Sequence, residues 1–144
     1  MHRAVWLISS LAVAGLVCFG SSFGAQARTT AALVKTTPAR ILVDQRGMTL
    51  YVFAIDKKNQ SVCYGKCAHF WPPVIAPTGT TVPATMPGIK GTFGATRRTD
   101  GKRQLTFDGA PLYTFLEDKK PGDMTGQGLF ASRGYWWVVV APRA

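Results

Sequence analysis

The sequence predicts an all-β fold, a small sandwich or barrel-like pseudo-dimer of two internal repeats that follows an N-terminal signal peptide. The stretch at 47–58 aligns with the stretch at 109–120 at a constant offset of 62, and seven of twelve positions are identical. Chance would give about one match, so the chain contains an internal repeat. Apolar side chains alternate at strand spacing within both stretches, and no segment after residue 27 shows a helical period.

The N-terminal segment has the features of a secretory signal peptide. Arg3 precedes an apolar run at 4–19, which is too short for a stable membrane span. Ala25 and Ala27 supply the small residues that signal peptidase requires, so we expect cleavage after Ala27. The predicted organisation is a signal peptide at 1–27, a flexible N-terminal segment at 28–39 and a single β domain at 40–144.

An exported chain of this kind is expected to be periplasmic or secreted. Cys18 could carry the lipid of a lipoprotein, but that processing needs a small residue directly before the cysteine, and Val17 stands there. Lipid anchoring at Cys18 is therefore disfavoured. The mature form is predicted to have no transmembrane span.

Turn residues and strand-like segments divide the β domain into its two repeats. We place the repeats at about 40–75 and 103–141, on the alternation of apolar residues and on the turn at Asp108-Gly109. A loop rich in Pro, Thr and Gly at 75–91 and one strand at 92–98 join the two repeats.

Strand alternation assigns the repeated aromatic residues to the core. Tyr51, Phe53 and Ile55 share one side of a strand, and Tyr113 and Phe115 share the corresponding side in the second repeat. Paired tyrosine and phenylalanine at this spacing are more often core than a ligand platform, which is the alternative. The same choice between core and binding applies to the tryptophans, Trp71, Trp136 and Trp137.

Several spaced motifs between residues 40 and 141 resemble one known family. They are Tyr51-x-Phe53-x-x-Asp56, Tyr113-x-Phe115-x-x-Asp118, Cys63-x-x-x-Cys67-x-x-x-Trp71-Pro72-Pro73, Pro121-Gly122-Asp123, Gly126-Gln127-Gly128 and Trp136. In this order, and with the duplication, they are similar to the secreted-repeat family of predicted lipoproteins, which has a Tyr-x-aromatic-x-x-Asp motif. The resemblance implies an exported, all-β, envelope-associated module. The role of that family is undetermined, so the resemblance implies no catalytic residues.

The two cysteines of the mature chain, Cys63 and Cys67, are expected to form a disulfide. Thiols outside the cytoplasm tend to be oxidised, and an even pair is most simply a bridge. The alternative is a copper or zinc site, or a thiol redox site, that uses both sulfurs and His69. The spacing lacks an evident fourth ligand, so the sequence favours no metal and no cofactor.

Residues suited to catalysis are few. Asp56 and Asp118 each close a strand, where a carboxylate can accept backbone N–H bonds from its own turn two residues on. The functional alternative is an acid and base pair across a cleft. His69 is the only histidine of the mature chain, and the sequence contains no nucleophile elbow, phosphate loop or zinc-protease helix. We therefore predict no catalytic residues and no enzymatic activity.

The charge balance indicates the class of partner. The whole chain has 17 basic and 7 acidic side chains, a net charge of +10, and removal of the signal peptide takes away one arginine. The basic residues occur in pairs, Lys57-Lys58, Arg97-Arg98, Lys102-Arg103 and Lys119-Lys120. Such a surface attracts anionic lipid or polysaccharide of the cell envelope, and export argues against nucleic acid. The sequence does not specify the oligomeric state.

These observations predict an exported, non-catalytic envelope module of undetermined role, either binding or structural, that contacts anionic envelope components. The alternative is a periplasmic metal-binding or thiol redox protein that uses the segment containing Cys63, Cys67 and His69.

Overall fold

Short antiparallel strands make up most of the regular structure in the computed structural model, which describes residues 33–143. The strands are β1 (Val34–Thr36), β2 (Leu42–Asp44), β3 (Tyr51–Phe53), β4 (Phe93–Arg97), β5 (Arg103–Phe107), β6 (Ala110–Pro111), β7 (Phe130–Ala131) and β8 (Gly134–Val138), and the helix is α1 (Lys66–Phe70). The all-β prediction is confirmed. The predicted signal peptide, its cleavage site and Cys18 lie outside the described residues.

The strands form three small sheets within residues 33–143, with the orders β1-β2, β3-β8-β7 and β4-β5-β6. Every pairing is antiparallel, and none of these sheets closes into a barrel. The β1-β2 and β4-β5 hairpins precede the motif strands of the two repeats in the same way, so we assign β1 to the first repeat and β4 to the second. No helix in this part of the chain has the length and apolar character needed to cross a membrane.

Each repeat is completed by a strand from the other repeat. Strand β3 of the first repeat pairs with β8 of the second, so that Phe53 lies opposite Trp136. In the second repeat, the N–H of Thr114 donates to the carbonyl of Pro72 at 2.9 Å, and the N–H of Val74 donates to the carbonyl of Leu112 at 2.9 Å. The segment that carries each tryptophan therefore belongs to the sheet of the opposite repeat.

The two motif strands also pair directly with each other. The N–H of Tyr51 donates to the carbonyl of Tyr113 at 2.8 Å, and the N–H of Tyr113 donates back to the carbonyl of Tyr51 at 2.9 Å. This reciprocal pair relates the repeats by a local twofold symmetry. The two copies of the sequence thus fold as one interlocked unit.

Two buried clusters form the core. The aromatic cluster consists of Tyr51, Phe53, Cys63, Trp71, Tyr113 and Trp136. The aliphatic cluster is centred on Leu42, Leu50, Leu105 and Leu112, with Phe93 and Phe107 packed against each other at its second-repeat end. The predicted inward face of the motif strands is thus correct for both tyrosines and for Phe53.

Several elements differ from the sequence predictions. The segment predicted to be flexible at 28–39 is described from residue 33, and Val34–Thr36 form β1 with Val34 buried in the aliphatic cluster. Ile55 was placed on the inner face but is 45% exposed, because the strand ends at Phe53, where the N–H of Asp56 closes a turn on the Phe53 carbonyl. For Trp137 the sequence leaves core and binding open, and the ring is 43% exposed.

The helix α1 is the other element that the sequence did not predict. It has only five residues, too few to show a helical period of apolar side chains. It begins after Gly65, whose φ of 54° lies in the left-handed region, and it contains Cys67. The N–H of Trp71 ends the helix by donating to the Cys67 carbonyl at 2.8 Å.

Replacement of Trp71 by alanine is expected to destabilise the fold by about 3–5 kcal/mol, because it removes a fully buried ring and leaves a cavity. The measurement is the free energy of unfolding by urea. The matched control is Trp137→Ala, whose ring is partly exposed and whose loss should have a much smaller effect. Equal effects of the two substitutions would contradict the assigned core.

Candidate functional site

The repeated aromatic residues form one continuous stack. Phe53 lies on Trp136 at a ring-centroid distance of 4.1 Å, and Trp136 lies on Trp71 at 3.9 Å with the planes 2° apart. Trp71 in turn stacks on Phe115 at 4.1 Å. Each phenylalanine therefore stacks on the tryptophan of the other repeat, and the two tryptophans meet at the centre.

The motif tyrosines flank this stack edge-on. Tyr51 contacts Trp71 at 5.4 Å, and Tyr113 contacts Trp136 at 5.0 Å, both with nearly perpendicular planes. Edge-to-face contacts of this kind are favourable beyond the burial of surface. Gly126 allows the chain to pass over Trp71, since a Cβ at that position would lie 2.6 Å from the indole ring.

The hydroxyl of each motif tyrosine binds the aspartate of the other repeat. Tyr51 donates to Oδ2 of Asp118 at 2.7 Å, and Tyr113 donates to Oδ2 of Asp56 at 2.6 Å. Both tyrosines are fully buried, so each phenol needs an internal acceptor. The tyrosine of each Tyr-x-Phe-x-x-Asp motif is thus hydrogen-bonded to the aspartate of the other motif.

The second oxygen of each carboxylate holds a loop of its own repeat. Oδ1 of Asp56 accepts the N–H of Val62 at 2.8 Å, and Oδ1 of Asp118 accepts the N–H of Thr125 at 2.9 Å and its hydroxyl at 2.6 Å. The sequence predicted acceptance from the turn two residues on, whereas the donors lie six and seven residues on. Neither aspartate faces the other as an acid and base pair would; each is bound to a tyrosine.

Burial governs the protonation of these groups. Burial, and then the hydrogen bond to the neighbouring carboxylate, raises the pKa of Tyr51 and of Tyr113 well above the usual range. Burial also raises the pKa of Asp56, against the hydrogen bonds from Tyr113 and Val62, which lower it. The protons therefore stay on the tyrosines at neutral pH.

Arg98 extends this network and does not belong to the basic surface that the sequence predicted. It is buried and donates to Oε1 of Gln104 at 2.7 Å, to Oγ of Ser61 at 3.0 Å and to the Cys63 carbonyl at 2.8 Å. Its guanidinium also lies 4.2 Å from the centre of the Tyr64 ring. Of the pair Arg97-Arg98, only Arg97 points outward.

The cysteine segment forms the disulfide that the sequence predicted, between Cys63 and Cys67. His69 is exposed on α1, with its ring edge-on to Phe70 at 5.1 Å. Within residues 33–143, no group of three His, Cys, Asp or Glu side chains could hold a metal ion. In the oxidised state, neither cysteine offers a thiolate to a metal.

The carboxylates of the described residues are all engaged internally. Asp56 and Asp118 bind tyrosines, three others form ion pairs as Arg46–Asp44, Arg98–Asp100 and Lys119–Glu117, and two accept backbone N–H groups, Asp108 from Thr92 and Asp123 from Lys119 and Lys120. Between residues 33 and 143, the cations without a carboxylate within 4.0 Å are Lys35, Arg40, Lys57, Lys58, Lys66, Lys90, Arg97, Lys102, Arg103, Lys120, Arg133 and Arg143.

Some of these cations meet at a cleft between the repeats. The cleft has a volume of about 700 Å³ and is lined by Lys58 and Asn59 of the first repeat and by Arg97, Thr106 and Asp108 of the second. Lys58 and Arg97 are exposed, whereas the Asp108 carboxylate is held by the N–H of Thr92 at 2.7 Å. The cleft thus presents two available positive charges.

Comparison with known proteins gives one match. A family model described as a secreted repeat of unknown function matches residues 32–75 and 94–140, which is more than half of the chain and covers both repeats. No curated protein and no solved structure matches.

Removal of both motif hydroxyls, as Tyr51→Phe with Tyr113→Phe, should lower stability at neutral pH by about 1.5–3 kcal/mol per lost bond. The double variant should also lose less stability than the unmodified protein as the pH rises into the alkaline range. The raised pKa values mean that the tyrosines contribute stability fully below about pH 10, and that this contribution falls as pH rises toward the folded pKa. Urea unfolding across the alkaline range measures both effects.

Tyr135→Phe is the matched control, because Tyr135 is half exposed. If the double variant lost stability in alkali as steeply as the unmodified protein, the buried tyrosines would not be the groups responsible.

Replacement of both cysteines by alanine should lower stability by about 2 kcal/mol, the chain-entropy value for a five-residue loop. The intact mass of the natural protein should be two hydrogens below that of the reduced chain. Free thiols with stoichiometric copper or zinc would instead support a metal site.

Proposed function

We propose that this chain, which belongs to the family of secreted repeats of unknown function, is an exported, non-catalytic module that binds anionic components of the cell envelope. In this proposal, the repeat motif builds the scaffold and the exposed cations bind the partner. The partner class is acidic polysaccharide or anionic lipid. The mature protein acts in the periplasm or outside the cell without a lipid anchor and without a cofactor.

The proposal rests on a difference between the acidic and the basic side chains: the acidic ones have partners within the protein, and most of the basic ones form no ion pair. All carboxylates among residues 33–143 are bound internally, while most lysines and arginines in the same range have no carboxylate partner. A polyanion that approaches this surface meets lysine and arginine side chains that form no ion pair with a carboxylate within 4.0 Å. Lys58 and Arg97, at the cleft between the repeats, belong to that surface.

The state of the motif supports a non-catalytic role. Both motif aspartates are fully occupied by donors, and the aromatic rings are stacked on one another. No buried side-chain nitrogen or oxygen among the described residues lacks a hydrogen-bond partner. General acid and base chemistry needs a group that can exchange its proton with a substrate, and the hydrogen-bond partners of these groups all lie within the protein. In the disulfide, Cys63 and Cys67 offer no thiolate to a metal.

The test is co-sedimentation of the mature protein with an acidic polysaccharide and with vesicles of phosphatidylglycerol. Retention is expected at low salt and should be lost as salt rises, because the Debye length falls from about 10 Å at 0.1 M to about 3 Å at 1 M. Replacement of Lys57, Lys58, Lys102 and Lys120 by glutamine should weaken retention at least about tenfold.

The matched control replaces the same four lysines by arginine, which keeps the charge and should keep the binding. Absence of retention at low salt, or equal loss in the glutamine and arginine variants, would overturn the proposal.

A further inference from the structure

The β7–β8 hairpin carries a row of exposed aromatic rings on its outer face. These are Phe130, Tyr135 and Trp137, which are 61%, 49% and 43% exposed, and we call them the aromatic strip. Phe130 meets Tyr135 at a centroid distance of 5.0 Å, and Tyr135 meets Trp137 at 5.7 Å. The strip is therefore one continuous apolar surface. Neither the repeat motif nor the basic surface uses it.

The hairpin is held firmly in this orientation. Alternation along β8 buries Gly134 and Trp136 and turns Tyr135 and Trp137 outward. Gly134 lies against Phe53, since a Cβ at that position would come 2.8 Å from the phenyl ring. The buried face of β8 is thus fixed on the aromatic stack, and the outward rings cannot turn inward without breaking it.

The chemistry around the strip identifies the kind of partner. Residues 124–143 contain no aspartate or glutamate, and Arg133 stands exposed at the tip of the hairpin. The polar side chains of this segment are partly engaged already, as Oε1 of Gln127 accepts the N–H of Val138 at 2.7 Å and the Thr125 hydroxyl donates to Asp118. A sugar site would need positioned polar groups beside the rings, which makes a sugar a poor fit.

We propose that the aromatic strip inserts into the head-group region of an anionic lipid bilayer, with Arg133 against the lipid phosphates. Tryptophan and tyrosine favour this interface because their rings are apolar and their polar atoms reach water. The positive charge of the protein and the absence of carboxylates in 124–143 complement an anionic membrane. This inference rests on the proposed function, and it selects lipid as the anionic partner and the strip as the contact.

The first experiment measures the depth of Trp137 in the bilayer. The mature protein is mixed with phosphatidylglycerol vesicles that contain brominated acyl chains, which quench nearby tryptophan. Trp71 and Trp136 are buried, so quenching should come from Trp137 and should be absent in Trp137→Phe. Quenching that persists in Trp137→Phe, or no quenching of bound natural protein, would overturn the inference.

The second experiment measures vesicle binding by Phe130→Ser with Trp137→Ser. Affinity for phosphatidylglycerol vesicles should fall at least about tenfold, while retention on acidic polysaccharide should not change. Phe70→Ser is the matched control, because Phe70 is 39% exposed and lies outside the strip, and it should bind vesicles normally.

The outcomes separate the two proposals. If the natural protein binds neither polysaccharide nor vesicles at low salt, the proposed function fails. If it binds vesicles but the strip variant binds them equally well, only the strip inference fails. The strip inference also fails if sedimentation shows that the natural protein is a dimer and the strip variant a monomer, because the strip would then be covered by a second copy.

Discussion

A phenol hydroxyl that is buried in an apolar cluster needs an acceptor, and in this protein the acceptor comes from the other repeat. Tyr51 reaches Asp118, and Tyr113 reaches Asp56, because the backbones of the two tyrosines pair with each other in opposite directions. In each of these two hydrogen bonds, the donor and the acceptor belong to different repeats. The interlocked arrangement of strands therefore depends on the two tyrosine–aspartate hydrogen bonds between the repeats.

The aromatic stack is also formed by contacts between the two repeats. The phenylalanine of each repeat stacks on the tryptophan of the other repeat, so these repeated aromatic residues pack against one another within the protein. The aromatic rings that remain exposed for a partner lie in segments that the two repeats do not share. The second repeat has the β7–β8 hairpin with Tyr135 and Trp137 beside its tryptophan, whereas the first has the disulfide-bonded helix with Phe70 and Pro72 beside Trp71.

The sequence was sufficient for the duplication, the β class, the disulfide and the inward face of the motif, because each leaves a local pattern. It could not show that the repeats exchange strands, since Asp56 and Asp118 occupy equivalent positions of the repeat and either could accept from either tyrosine. The burial of Arg98 could not be predicted, because its partners Ser61 and Gln104 lie in other segments of the chain. Exposure of Trp137 follows from its register opposite Val52, which only the fold reveals.

The coupling free energy between tyrosine and aspartate tests the exchange between repeats most directly. It is obtained by urea unfolding of a double-mutant cycle on Tyr51→Phe and Asp118→Asn, with a second cycle on Tyr51→Phe and Asp56→Asn as the reference. Exchange predicts a coupling of about 0.5–3 kcal/mol for the pair from different repeats and independent effects, additive within about 0.5 kcal/mol, for the pair from one repeat. A larger coupling within the repeat than between repeats would contradict the account.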